Sequence, residues 1–197
     1  TIGGKISLPR SRGLRKTDTA FTTPLKSGKL KGFVYSDCWV DDARLVVLNA
    51  LDATYNGAKV RTRTAVKSAR RSDDRWDLAL DDGTSVSAKA LVNAAGPWVA
   101  DMVARSGVNS NASVRLIKGS HIIVPALFQG HHAYMLQQPD GRIVFAISYD
   151  YNSTLVGTTD EPVDTPEEAQ ITDAEKVYLC AAVNRYFKRQ TDPTDII

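Results

Sequence analysis

Only two cysteines occur in 197 residues, Cys38 and Cys180, far apart in the chain. That scarcity excludes a disulfide framework, and their spacing excludes a cysteine zinc site. Long apolar runs are also missing, since no stretch approaches the ~20 residues that a membrane-spanning helix needs. None of the 13 glycines stands two positions from another. The Gly-x-Gly-x-x-Gly turn that holds a pyrophosphate in dinucleotide folds is therefore absent. Gly3-Gly4 is followed by KISLPR rather than by a helix. If a dinucleotide binds, its main phosphate cradle lies outside this stretch of sequence. The formal net charge of +3 is too mild to argue for nucleic acid. His131 and His132 stand side by side in loop-like sequence without partners, so no metal site is read from them. No internal repeat or low-complexity tract is present.

What is there is ordinary globular composition, 43% apolar and 24% charged, in a length that holds one large or two small domains. The charge is uneven. The start carries Lys5, Arg10, Arg12, Arg15, Lys16, Lys26, Lys29 and Lys31 against Asp18 alone, whereas the stretch from Asp150 to Glu175 is acidic. The basic start reads as a solvated loop, or as attraction to an anionic substrate or membrane face. Asn111-Ala112-Ser113 and Asn152-Ser153-Thr154 match a glycosylation triplet, but with no signal peptide in view they read as chance. The sequence does not open with Met and stops at TDPTDII, which reads as an excerpt from a longer protein.

Periodicity predicts the elements. Residues 1 to about 31 read as loop. DDARLVVLNALDATYNG reads as a helix capped by Asp41 or Asp42, with Leu45, Leu48, Leu51 and Tyr55 as its apolar stripe and Gly57 closing it. KVRTRTAVKSA, RWDLAL and TSVSAKA read as an antiparallel meander with turns at Ser72-Asp73-Asp74 and Asp81-Asp82-Gly83. ALVNAA reads as a compact apolar strand. Pro97 then starts a helix that buries Val99, Met102 and Val103 and ends at Gly107. A boundary is expected near residues 108–113. RLIKGSHIIVP, AYMLQQ, RIVFAIS and TLVGTT read as strands of a second, antiparallel sheet, with a hairpin turn at Asp140-Gly141. Thr172-Asp173-Ala174-Glu175 is a capping box opening a helix that carries Leu179, Val183, Tyr186 and Phe187.

Three stretches carry candidate chemistry. In LVNAAGPW, the small residues Ala94, Ala95 and Gly96 leave room for a flat ligand against the main chain. The following helix start offers amides and a positive dipole end; the plainer reading is a tight turn that needed glycine. In RLIKGSHIIV, alternation puts Lys118, Ser120 and Ile122 on one face and His121 on the other. Gly119 signals a bulge or a close approach of backbone that could change those facings. His121 beside apolar neighbours is either a satisfied structural residue or, with Lys118 near it, part of a proton-transfer or anion site. TLVGTTD ends a strand in Gly157, two hydroxyls and a carboxylate, which serves either a ligand or a plain turn.

Taken in order, FVYSDCWVDDARLVVLNA, TRTAVKSARR, LVNAAGPWV, RLIKGSHIIVP, DGRIVFAI and LVGTTD closely resemble the FAD-dependent, respiratory-type glycerol-3-phosphate dehydrogenases, from about Gly32 to the end. The resemblance implies a mixed α/β and α+β architecture of the D-amino-acid-oxidase type. Residues 1–40 would be a loop-rich part of the substrate domain. Residues 41–110 would be part of a three-layer FAD domain with its β-meander, and 111–197 an antiparallel-sheet substrate domain. It implies oxidation of sn-glycerol 3-phosphate to dihydroxyacetone phosphate, with hydride passing to the flavin and electrons on to quinone. Ala94, Ala95, Gly96 and Trp98 would lie against FAD, and Val66 would offer backbone atoms on the adenine side. His121 would take the hydroxyl proton. Lys118, Ser120 and Thr159 would stand at the substrate, and Thr158 and Asp160 at the flavin–substrate junction. The family usually shows Pro where Ser148 stands, which puts the detailed shape of the pocket in question. The parent protein would sit peripherally on the cytoplasmic face of a bacterial membrane, or in the cytoplasm, with no nucleic-acid partner and a homodimer left open. The excerpt alone would neither hold FAD tightly nor turn over. A glycerol-3-phosphate oxidase passing electrons to oxygen, an amine or amino-acid oxidase of the same fold, and a non-enzymatic binding module remain as rival readings.

Overall fold

The computed structural model describes residues 8–28, 31–111, 113–150 and 152–197. Residues 1–7 and 29–30 of the expected loop lie outside the described residues, as does Ala112 of the expected boundary and glycosylation triplet. The elements in chain order are β1 (Arg12–Gly13), α1 (Thr19–Thr22), β2 (Phe33–Val34), α2 (Asp42–Tyr55), β3 (Val66–Ser72), β4 (Arg75–Leu80), β5 (Ser85–Ala88), α3 (Val99–Ser106), β6 (Ile117–Lys118), β7 (His121–Pro125), β8 (Ala133–Gln137), β9 (Ile143–Tyr149), β10 (Ser153–Gly157), β11 (Glu161–Pro162) and α4 (Asp173–Asn184). They fall into two compact units. One is Asp37–Arg115; the other joins the segment ending at Ser36 to Leu116–Ile197.

The Asp37–Arg115 unit is built on the antiparallel meander β3-β4-β5. Its turns use positive φ at Asp73 (50°) and Gly83 (83°), where Asp and Gly bear that conformation best. β3 begins only at Val66, later than the alternation of KVRTRT suggests, and a bulge at Val66/Ser68 marks its irregular start. α3 packs on β3 with Val99, Met102 and Val103 half-buried, and Gly107 closes it in the left-handed conformation. α2 is capped by Asp41, whose carboxylate accepts the Arg44 amide at 3.0 Å. Its expected stripe is not covered: no residue of α2 is buried, and Leu45, Leu48, Leu51 and Tyr55 all stand exposed. ALVNAA is not a strand here. A strand needs a neighbour to share its N–H and C=O groups, and none of β3, β4 and β5 pairs with residues 90–95.

The other unit is built on an antiparallel sheet in the order β7-β10-β9-β8, with α4 packed on one face. The expected single strand RLIKGSHIIVP is broken at Gly119-Ser120 into β6, which pairs with β11, and β7, which joins the main sheet. The two-residue period sorts its side chains. Ile122, Val124, Val144, Ala146 and Val156 point inward and meet Leu179, Val183 and Phe187 in one buried cluster. Ser148 pairs with Thr154, so β9 runs unbroken to Tyr149. The described part of the basic start lies against this core: Leu25 bridges to Phe187, and the Tyr134 hydroxyl donates to the Phe21 carbonyl at 2.9 Å. Burial pushes the Tyr134 hydroxyl up to about 12. The capping box forms as its spacing predicts, with Thr172 and Glu175 bonding reciprocally.

Candidate functional site

On the face of the sheet away from α4, the register aligns four residues in one row across four strands: His121, Gly157, Phe145 and Met135. Tyr35 reaches over this row, its hydroxyl 3.9 Å from the Met135 sulfur. The row is an apolar floor with one imidazole in it. Its composition explains why Gly157 is glycine. A Cβ built there would lie 2.5 Å from His121 Cγ and 2.6 Å from Nε2, so the ring occupies the place of the missing side chain. Partial burial on this floor holds the His121 pKa below the ordinary 6.5. Its imidazole is thus neutral, and basic, near pH 7.

Gly119 mirrors this contact. A Cβ there would collide with Thr158 Oγ1 and lie 3.4 Å from the Thr159 carbonyl oxygen. The close approach read from Gly119 is real. The predicted facings also hold, with Lys118, Ser120 and Ile122 turned toward α4 and His121 away from it.

Lys118, Ser120 and Thr159, expected at the substrate, share a partner that sequence reasoning did not assign to them. That partner is Glu175 on α4. Its Oε1 accepts from Ser120 Oγ at 2.8 Å and Thr159 Oγ1 at 2.7 Å. Its Oε2 accepts from Lys118 Nζ at 2.6 Å and from the Thr172 amide and hydroxyl at 2.8 and 2.9 Å. Lys118 also donates to the Gln170 carbonyl. The Glu175 side chain is 5% exposed and that of Lys118 10%. The capping box signalled Glu175 in the sequence, but only as a helix start. A hollow of about 1030 Å³, lined by Arg142, Glu161 and Tyr178 among others, opens beside this cluster, and His121 does not line it.

The Glu175 carboxyl is held far below its ordinary 4.5. Burial pushes it up, but Lys118, Thr172, Thr159 and Ser120 together outweigh burial. A depressed folded-state pKa gives stability that is complete above the unfolded value and is lost as the pH falls below it. Denaturant midpoints measured from neutral pH down to about pH 3 should therefore drop below about pH 4.5, and drop less in Glu175→Gln. Identical acid limbs in the two proteins would refute this.

In the other unit, the corner Ala94–Gly96 is shaped by Asn93, which accepts the Ala95 amide at 3.2 Å and donates to the Val99 carbonyl at 2.9 Å. Gly96 has φ +55° and open space on its side-chain side, so the corner is not filled by the unit's own side chains. Val66, Ala95 and Trp98, expected at the cofactor, do come together. With Asp101, Met102 and Arg105 they line a hollow of about 280 Å³. The Val66 carbonyl accepts from Arg105 Nη1 at 2.9 Å, a partner not foreseen. An open, small-residue corner beside an apolar hollow fits a flat heteroaromatic cofactor. Thr158 donates to the Thr159 carbonyl at 3.0 Å, and Asp160 stands exposed beyond it.

The comparisons with known proteins follow the same line. The profile of the FAD dependent oxidoreductases matches residues 7–197. A glycerol-3-phosphate dehydrogenase of Pseudomonas aeruginosa is 51% identical over 202 aligned residues, covering 100% of this chain and 39% of the relative. A D-erythritol 1-phosphate dehydrogenase of Brucella abortus is 42% identical, over 100% of this chain and 40% of the relative. The likeness thus reaches the residues before Gly32, which the motif resemblance left out. The solved structure of the Bacillus halodurans glycerol-3-phosphate dehydrogenase complexed with FAD superposes with a TM-score of 0.76 at 26% identity, over 93% of this chain and 39% of that one. The chain spans about two fifths of the length of the curated relatives it matches. It belongs to the FAD dependent oxidoreductase family.

Proposed function

We propose that this chain forms the middle of a flavoenzyme that oxidises sn-glycerol 3-phosphate to dihydroxyacetone phosphate and passes the electrons to a quinone. The observation that carries this reading is the place of His121: an imidazole seated on Gly157, on the face of the sheet away from the core, where burial lowers its pKa. Such a group takes the C2 hydroxyl proton as C2 is oxidised. FAD, when bound, supplies the hydride acceptor. Ala94, Ala95, Gly96, Trp98 and Val66 would hold it, and Thr158 and Asp160 are assigned to its reacting end by the family resemblance. Lys118, Ser120 and Thr159 frame the site, because Glu175 already takes up their polar groups.

The substrate assignment rests on likeness: 51% identity to the glycerol-3-phosphate dehydrogenase, against 42% to the relative named for D-erythritol 1-phosphate. A quinone acceptor and a peripheral seat on the membrane follow the resemblance. No helix among the described residues is long and apolar enough to cross a membrane.

The test uses the full-length protein, assayed with both sugar-alcohol phosphates and with quinone or oxygen as acceptor. Glycerol 3-phosphate should be preferred and quinone reduced. His121→Ala should keep its flavin absorbance and lose about 10²- to 10⁴-fold in kcat. Unchanged turnover in His121→Ala, or flavin-free protein, would overturn the proposal, and peroxide formation in place of quinone reduction would convert it to an oxidase.

A further inference from the structure

We propose that Glu175 is a positioning residue of this site, a single carboxylate that fixes both the imidazole of His121 and the backbone seat on which it rests. The proposal deepens the reading given above and rests on His121 as the proton-taking group.

A capping box needs only one oxygen of its glutamate, to accept the N-cap amide. Glu175 meets that need with Oε2 at 2.8 Å from the Thr172 amide. The Thr172 hydroxyl adds a second local bond to Oε2, and the three remaining donors are far away in sequence. Ser120, bonded at 2.8 Å, is the residue before His121, and Thr159, bonded at 2.7 Å, is two residues after Gly157. These two are also tied to one another, the Ser120 amide donating to Thr159 Oγ1 at 2.8 Å and the Thr159 amide to the Ser120 carbonyl at 3.3 Å. Lys118 anchors the strand on the other side of Gly119, at 2.6 Å. The carboxylate thus holds the chain entering β7 and the chain leaving β10 at the point where His121 and Gly157 pair.

The anchor itself is rigid. Glu175 sits one turn before Leu179, which is fully buried in the core together with Val183. A buried carboxylate with five donors has no room to swing. Charge-assisted bonds of this kind are the strongest class of hydrogen bond in proteins. Relaxing them frees the two chains to shift against each other, and a shift of about 1 Å at a reacting group can cost as much as ~10²-fold in rate. A helix cap with no part in the site would affect folding alone.

The experiment takes the full-length protein with labelled histidines, the His121 signal being assigned by its loss in His121→Asn, so that the His121 ring can be titrated by NMR. Glu175→Gln keeps the shape but removes the charge. At wild-type flavin content, its kcat should fall by about tenfold or more with KM changed less than about threefold, as expected when transition-state geometry rather than binding is lost. The His121 titration midpoint should rise toward its ordinary value as the ring loosens from its seat. Retained kcat, an unmoved His121 titration, or a rate loss that only tracks loss of folded protein would each overturn the proposal. If Glu175→Gln does not fold, Ser120→Ala leaves the Lys118 pair in place and is read by the same His121 titration, again expected to rise. His121→Asn with wild-type kcat would sink the functional reading alone, since the titration in Glu175→Gln still decides whether the clamp positions the ring.

Discussion

Gly157→Ala in the full-length protein is expected to lower kcat by about a hundredfold while leaving the protein folded. The reasoning is steric and local. The φ of Gly157 lies outside the left-handed region, so alanine is not excluded by backbone conformation. What excludes it is the His121 ring, whose Cγ and Nε2 lie 2.5 and 2.6 Å from where the new Cβ would be. Real Cβ contacts do not come so close, and one partner must move. The Gly157 backbone is pinned between β7 and β9, by pairing with His121 on one side and Phe145 on the other. The imidazole is the free end of a side chain and will be the part that turns away. Because the clash falls on the outer face, the core beneath, with Val156 and Ile122, is spared. Activity should therefore fall much further than thermal stability. Gly119→Ala provides the contrast. It pushes on Thr158 Oγ1 and the Thr159 carbonyl rather than on the ring, so it should disturb the Glu175 cluster first. Wild-type kcat in Gly157→Ala, together with an unchanged His121 titration, would show that the ring does not sit where the structure puts it.

How far the site could be read in advance depends on whether its bonds are local. The helix start at Thr172 was legible because a capping box is a four-residue pattern, and the facings of Lys118, Ser120 and His121 were legible because a strand alternates. Gly119 stood out as a glycine inside an expected strand and Gly157 as one at a strand end, although the sequence could not say which atoms approach them. The burial of Glu175 was not legible. Its donors other than Thr172 come from residues 118, 120 and 159, brought together by the pairing of β7 with β10, and nothing near Glu175 in the chain marks it as more than a cap. Phe145, Met135 and Tyr35 were missed for a related reason: apolar residues in strands read as core, and which face is open depends on where α4 lies. Two expectations failed through missing neighbours. ALVNAA has strand composition but no described strand beside it, and no described residue buries the apolar stripe of α2. Periodicity reports which surface wants burial; it cannot report that the covering surface is present.

The largest stability effect is expected at Phe187. Its side chain is fully buried, stacked on Phe128 with ring centroids 5.9 Å apart and edge-on to Tyr134 at 5.1 Å. It also lies where the early segment joins the later one, through the bridge to Leu25 and the Lys188 amide bonded to the Pro24 carbonyl at 2.9 Å. Phe187→Ala removes both the transfer energy of the ring and its contacts with two aromatic neighbours, and should cost about 3–5 kcal/mol. Phe187→Leu, which refills most of the volume, should cost no more than about 1.5 kcal/mol. The hole has few ways to collapse, because Phe128 is also wedged against His132 at 4.9 Å and Tyr134 is tied to the Phe21 carbonyl. Denaturant unfolding checks the magnitude, with the midpoint falling at unchanged slope. Hydrogen exchange checks the location: amides of Leu25 and Lys26, bonded to the Thr22 and Tyr186 carbonyls, should lose protection in Phe187→Ala before those of β3 and β4 in the other unit. Equal loss of protection in both units would mean that Phe187 governs a global transition, and the description of two compact units that open separately would then have to be given up.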